Sequence, residues 1–384
     1  MIYLDNSATT SPYPEAVNTF TQVSQQFFGN PSSLHSVGLD TEMLLTKARS
    51  SIARLLHITP SELIFTSGGT EGNNLAIKGA ALEHQGRGRH VITTEVEHPS
   101  VKEAFSHLEK IGFEVTWLPV NKDGRLEVET LVESLREDTI LVSVIHVNNE
   151  MGTIQPIEEI GTVLKDWPKA VFHVDHVQGM TKVPLSFKEA HIDLCTFSAH
   201  KFHGLKGTGA IYIRSGVKLS PLFHGGSQEL AHRPGTENVA GIAAMAKALR
   251  LSLEKKEKER DKMERLKEKL MNALDRVEGV YVNTPRKGSA PHIVNFSIPG
   301  VKPEVLIQAL TKKDIHVSTR SACSSRLHEP SEVLLAAGKS RARAESAIRV
   351  SFSLETTEAE IEALLGELHF QIPELLKVMG ANKK

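Results

Sequence analysis

The sequence predicts a two-part α/β protein: a large domain of residues 15–250 on a mostly parallel sheet, and a smaller α+β domain of residues 1–14 with 251–384. Three observations carry this. Short, nearly continuous apolar runs recur between residues 63 and 213, as strands buried on both faces require. Helical stretches separate them, and such alternation leads to parallel pairing. Beyond residue 250 a charge-dense helical stretch gives way to a different mixture of short strands and helices.

The predicted strands of the large domain are 63–66, 90–94, 140–147, 170–174, 192–197 and 209–213, with helices at 73–84, 100–111 and 157–167 between them. Residues 251–271 are rich in Lys, Glu and Arg, while Met263, Leu266, Leu270 and Leu274 recur at helical spacing. This predicts one long solvated helix, which can also bridge the two domains. Strands at 280–283 and 292–297, a helix at 303–312 and an amphipathic helix from about Thr357 complete the small domain.

The bulk composition excludes several classes of function. The 384 residues are 40% hydrophobic and 24% charged, with a formal net charge of −1. That balance gives no electrostatic case for nucleic acid or a membrane surface. The two cysteines, Cys195 and Cys323, are too few for a secreted disulfide framework, so a reducing cytoplasm is expected. Residues 1–6 lack the basic and apolar regions of a signal peptide, and no apolar run reaches the ~18 residues of a membrane span.

In open α/β sheets, ligands bind beyond the carboxyl ends of the strands. Five consecutive runs deliver polar residues there: Ser67-Gly68-Gly69-Thr70, Glu97-His98-Pro99, Asn148-Asn149-Glu150, Asp175 with Gln178, and Ser198-Ala199-His200-Lys201. Each has an ordinary reading alone. Gly68-Gly69 makes a turn, or frees N–H groups for an anion at a helix start; neither P-loop nor dinucleotide spacing is present. Lys201 is a snorkelling surface lysine, or a desolvated amine fit for Schiff-base chemistry. Asp175 caps a helix or pairs with a cation, and His98 is structural or a stacking and proton-moving group. Cys195, inside an apolar run, reads as a small hydrophobe. Cys323 differs: Arg320 and Arg326 flank it among small residues, and cations raise a thiol's thiolate fraction. These arginines, with Arg341 and Arg343, offer a basic face to an acidic partner or are simply solvated.

Together these segments resemble the cysteine desulfurases, the NifS/IscS-like branch of the fold-type I pyridoxal phosphate (PLP) enzymes. The similarity runs from Tyr3–Thr10 through Gly29–Ser33, Phe65–Asn74, His146–Gly152, Ser198–Lys201 and Arg233–Asn238 to Ser321-Ala322-Cys323-Ser324-Ser325. It implies a large domain with a mostly parallel seven-stranded sheet, PLP as cofactor, L-cysteine as substrate and a homodimer. It also implies roles. Lys201 would carry PLP and move the Cα proton. Asp175 would pair with the ring nitrogen, His98 would stack on the ring, Gln178 would meet the ring hydroxyl, and Asn149 would sit by ring and substrate. Gly69, Thr70, Ser198 and His200 would hold the phosphate, and Thr236 would reach the neighbouring subunit's phosphate. Arg349 would clamp the substrate carboxylate, and Cys323 would accept the sulfur for a protein partner, an iron–sulfur scaffold or a tRNA-thiolation enzyme. A selenocysteine lyase, a PLP aminotransferase and a non-catalytic sulfur-carrier scaffold are the alternatives. Three departures stand out: His176-Val177 after Asp175, with an imidazole expected near the ring; Arg320 where Gly is usual; and Ser353 where Gly is common, which puts the backbone after Arg349 in question.

Overall fold

The computed structural model describes residues 1–259, 261–319 and 329–378. Its strands, numbered along the chain, are β1 (Ile2–Tyr3), β2 (Leu63–Thr66), β3 (His90–Thr94), β4 (Glu114–Leu118), β5 (Thr139–Ile145) and β6 (Val171–Asp175). They continue as β7 (Leu194–Ser198), β8 (Gly209–Ile213), β9 (Tyr281–Val282), β10 (Ile293–Ser297), β11 (Ile315–His316) and β12 (Ala347–Ser351).

A seven-stranded sheet has the order β2-β8-β7-β6-β5-β3-β4. Only β8 runs against its neighbours β2 and β7; the other pairs are parallel. Alternate residues feed opposite layers. Leu63, Phe65, Val142 and Phe172 pack one face with helices Pro14–Gln26, Ser36–Leu55 and Val239–Lys258. Ile64, Leu141, Val171 and Ile211 pack the other with helices Gly69–His84 and Pro99–Lys110. Cys195 is fully buried in the first layer, and burial pushes its thiol pKa far up, as suits an inert hydrophobe.

Strands β2, β3 and β8 match their predicted bounds, and the carboxyl ends of two others shift for a physical reason. Asp175 and Ser198 extend β6 and β7 past their apolar runs because their backbones stay in register with Ile145 and Gly209. Strand β4 was not expected. It is an edge strand whose Glu114 and Thr116 break the apolar run.

The expected long solvated helix is instead two helices, Val239–Lys258 and Lys262–Leu274. The first buries Val239, Ile242, Met245 and Leu249 in the large core. The second buries Met263, Leu266, Leu270 and Leu274, with Leu266, Leu270 and Leu274 in a separate core. The apolar stripes of the two helices pack into two different cores. That second core gathers Leu4, Phe296, Ile348, Val350 and helix Glu358–Val378 around the antiparallel sheet β12-β10-β9. Parallel pairing of β1 with β11 brings the amino terminus there. Among the described residues, no helix is long and apolar enough to cross a membrane.

Candidate active site

The carboxyl ends of the parallel strands open into a cleft, where open α/β sheets bind their ligands. Gly69 and Thr70 line it after β2, His98 after β3, Asn149 after β5, Asp175 at the end of β6 with Gln178 beyond it, and Ser198 at the end of β7 with His200 and Lys201 beyond it. Arg349 enters from β12. The chain's own amino-terminal Ser7 and Ala8 complete the wall.

One end of the cleft offers donors that an anion can accept from. Helix Gly69–His84 points its amino terminus there, where the first-turn N–H groups lack intrahelical partners. Close packing sets this turn. A Cβ on Gly69 would lie 2.9 Å from Val177 Cγ2, and one on Gly209 would lie 2.7 Å from Gly68 Cα. Ser198 Oγ is buried without a hydrogen-bond partner. His200 Nδ1 contacts Thr9 Oγ1 at 3.2 Å, and burial with nearby Lys201 lowers the pKa of its imidazole to about 3.

A buried polar network lies at the same strand ends. Asp175 Oδ1 accepts from Val177 N–H at 3.0 Å, and Oδ2 from Asn73 Nδ2 at 2.8 Å. Burial raises the Asp175 pKa, while these donors and the Lys201 charge pull it back toward the ionised form. Asn73 Nδ2 also reaches Ser100 Oγ at 2.9 Å, and that hydroxyl is 2.8 Å from His98 Nδ1. The backbone N–H of Ser100 donates to the same Nδ1, so a neutral His98 carries its proton on Nε2. Burial, with Lys201 and Arg349 nearby, lowers the His98 pKa to about 4, so the ring is neutral at pH 7. Beside it, Glu97 is 2% exposed. Its Oε1 accepts from Thr94 Oγ1 at 2.6 Å and Ile145 N–H at 2.9 Å, and burial raises its pKa to about 8.

Lys201 Nζ donates to the carbonyls of Ser7 and Ala8, the latter at 2.9 Å. Gln178 Nε2 also donates to Ser7 O, at 2.9 Å, leaving Oε1 buried and unpartnered. Arg349 is 1% exposed. Its Nη1 donates to Asn149 O at 2.7 Å and its Nη2 to Asp5 Oδ1 at 2.9 Å, and its Nε is buried without a partner. The backbone after Arg349 is regular: Ser351 N–H donates to Leu4 O at 2.7 Å, and Ser351 Oγ accepts from Ser7 N–H at 2.8 Å. Ser353 Oγ accepts from Glu355 N–H in the turn beyond.

Cys323, Arg320 and Arg326 lie outside the described residues. The residues on either side do not. Ser318 exchanges backbone hydrogen bonds with Arg349, and Ser331 Oγ donates to Glu150 Oε2 at 2.6 Å. Both flanks of the 320–328 segment are therefore tied to residues at or beside the cleft.

Other expectations resolve differently. Thr236 is exposed and does not line the cleft of its own chain. His176 turns away from the cleft. Its Nδ1 is 2.7 Å from His146 Nδ1, and its ring meets Phe187 edge-on. The second imidazole thus serves a buried pair and does not line the cleft. Arg343 is no free docking cation, since its guanidinium donates to Asn283 Oδ1 and Val282 O and lies over Tyr281; Arg341 pairs with Glu345. Sequence reasoning gave no role to Asn73, Ser100, Ser7 or Ala8. For Asn73 a signal existed: it sits one helical turn from Gly69, on the cleft-facing side.

The sequence profile of the Aminotransferase class-V family matches residues 2–364. A NifS/IcsS protein homolog of Lactobacillus delbrueckii subsp. bulgaricus is 45% identical, over 95% of this chain and 95% of its own length. A cysteine desulfurase IscS of Dictyoglomus turgidum is 42% identical, over 100% of this chain and 97% of its own. Among solved structures, a NifS-like protein superposes with a TM-score of 0.91 at 38% identity, covering 98% of this chain and 99% of that one.

Proposed function

The chain belongs to the aminotransferase class-V family and is a cysteine desulfurase, and we propose that it works with PLP on Lys201 and passes the sulfur of L-cysteine to Cys323. Enzymes of this family use PLP. The observation that carries the proposal is the convergence of five strand ends on one cleft, with an amine, a buried carboxylate and an anion cradle. The residues fit the cofactor's three ends. Ser198 Oγ, a buried donor lacking a partner, would join Gly69, Thr70 and His200 in holding the phosphate. Asp175 would pair with the ring nitrogen. Gln178 Oε1, also unpartnered, would accept from the ring hydroxyl, and His98 and Asn149, which line the cleft, would flank the ring.

When bound, PLP supplies an aldehyde that condenses with amines and a ring that takes up the electron pair left at Cα. The protein's own groups do the rest. Arg349 orients the substrate carboxylate, aided by its unpartnered Nε. Lys201 takes the Cα proton and returns a proton to the product. The Cys323 thiolate attacks the substrate sulfur, whose bond to Cβ breaks. L-cysteine and an enzyme thiol thus become L-alanine and an enzyme persulfide, with no external oxidant or reductant. Alanine formation from L-cysteine tests this, with Lys201→Ala expected to abolish it; undiminished turnover by that variant refutes the role of Lys201.

The rest of the reading concerns assembly. Two separate cores support a division into two domains near the bounds 15–250 and 1–14 with 251–384, although Tyr13 and the whole of helix Val239–Lys258 go with the large core. Exposed Phe28, Leu34, Phe223 and Leu230 support a homodimer face, and exposed Thr236 would reach the partner's phosphate from there. Leu230→Glu should shift the mass in solution toward the monomer; an unchanged mass counts against this face. The acceptor is a protein, either an iron–sulfur scaffold or a tRNA-thiolation enzyme, and the low cysteine count supports the cytoplasm.

A further inference from the structure

One buried cation has no part in the chemistry above. Lys182 is 9% exposed, and its Nζ donates to the backbone carbonyl of Lys201 at 2.6 Å. The turn after β6 brings it there. Lys182 and Val183 N–H both donate to Gly179 O, at 2.8 and 2.9 Å, and Thr181 between them has φ +64°. A left-handed threonine is costly and persists where its surroundings enforce it. The same short stretch holds Asp175 and Gln178, so one turn supplies two cleft residues and a support beneath a third.

The surroundings of Lys182 are cationic or neutral. The charges acting on it are those of Lys201 and of Lys256, on helix Val239–Lys258. Tyr13, His203 and Ser252 share its small cavity with Lys201. The imidazoles that feel its charge, His176, His200, His203 and His292, are all held toward neutrality by burial first. Burial and the two lysines lower the Lys182 pKa to about 7. Interaction between like charges is mutual, so a proton on Lys182 disfavours one on Lys201.

We propose that Lys182 is a positioning residue for Lys201: it fixes the short turn Ala199–Lys201 that aims the side chain, and its charge disfavours protonation of the Lys201 nitrogen. The inference rests on the reading that Lys201 carries PLP. It assigns Lys182 no contact with substrate.

The test is a pH titration of the visible absorption band of the PLP-loaded protein, with Lys182→Met and Lys182→Arg beside the parent. Lys182→Met removes the charge and the donor, and its midpoint should rise by about one pH unit. Lys182→Arg keeps a charge that does not titrate in this range, and its midpoint should fall below the parent's. A Lys182→Met midpoint equal to the parent's overturns the proposal, since a lysine that only fills space would leave the titration unmoved. If Lys182→Met does not fold, Lys182→Arg decides: a midpoint below the parent's supports the proposal, and one at or above it overturns the proposal. Failure of both to fold makes Lys182 a folding residue and overturns it too. A parent without the band, or a band that survives in Lys201→Ala, removes the cofactor reading and this inference with it. A Lys201-dependent band with an unmoved midpoint overturns this inference alone.

Discussion

Replacing Glu97 by glutamine should make the protein more stable in mild alkali, by an amount that grows with pH. Glu97 is buried between β3 and β5, where Oε1 takes two hydrogen bonds and Oε2 has none. Burial is the largest cause that raises its pKa from 4.5 to about 8. A carboxyl whose folded pKa lies above its unfolded one contributes stability that is complete below the unfolded value. That stability is lost as pH rises through the folded value. The window therefore runs from about pH 4.5 to about pH 8. Between pH 6 and pH 8 the parent crosses about two pKa units, at about 1.4 kcal/mol each, so Glu97 costs it about 2.5 kcal/mol more at pH 8.5 than at pH 6. Glutamine keeps the acceptor for Thr94 and Ile145 and has no proton to lose. Urea unfolding of both proteins at the two pH values isolates the effect, because every other titrating group is common to both. Parallel pH dependences for parent and Glu97→Gln would refute the idea that this carboxyl is held protonated by burial.

Two further outcomes follow from the site. Asp175→Asn keeps the shape and the Asn73 neighbourhood but removes the charge facing the ring nitrogen, so alanine formation should fall by at least about a hundredfold with the fold intact. A circular dichroism spectrum like the parent's, with near-parental turnover, would contradict that role. Gly209→Ala places a methyl 2.7 Å from Gly68 Cα and 2.9 Å from Phe197 O, both backbone atoms that cannot rotate away. It should cost about 1–3 kcal/mol and weaken PLP binding through the displaced Gly68–Gly69 turn; calorimetry and equilibrium dialysis read the two effects.

Most of this protein was legible because buried parallel strands announce themselves as apolar runs, and the residues just beyond them mark the cleft. The Ser198-Ala199-His200-Lys201 end was readable for that reason, and so was Asp175. What escaped notice was set by tertiary packing. Edge strand β4 is only partly buried, with Glu114 exposed, and so lacks a continuous apolar run. Helices Val239–Lys258 and Lys262–Leu274 merged in the sequence because charged residues surround two narrow stripes that different cores bury. Asn73 and Ser100 are small polar residues on helices, and only the approach of Asp175 and His98 gives them meaning. His176 and Arg343 misled for the converse reason. Each has a polar group that a neighbour distant in sequence, His146 or Asn283, satisfies away from the cleft.

The most direct test of the central claim is mass spectrometry of the PLP-loaded protein after brief exposure to L-cysteine, without reductant or acceptor. One added sulfur atom should appear on the peptide that contains Cys323, with none on the peptide that contains Cys195, and both Lys201→Ala and Cys323→Ala should abolish it. Sulfur bound elsewhere, or alanine released as fast by Cys323→Ala as by the parent, would contradict the account.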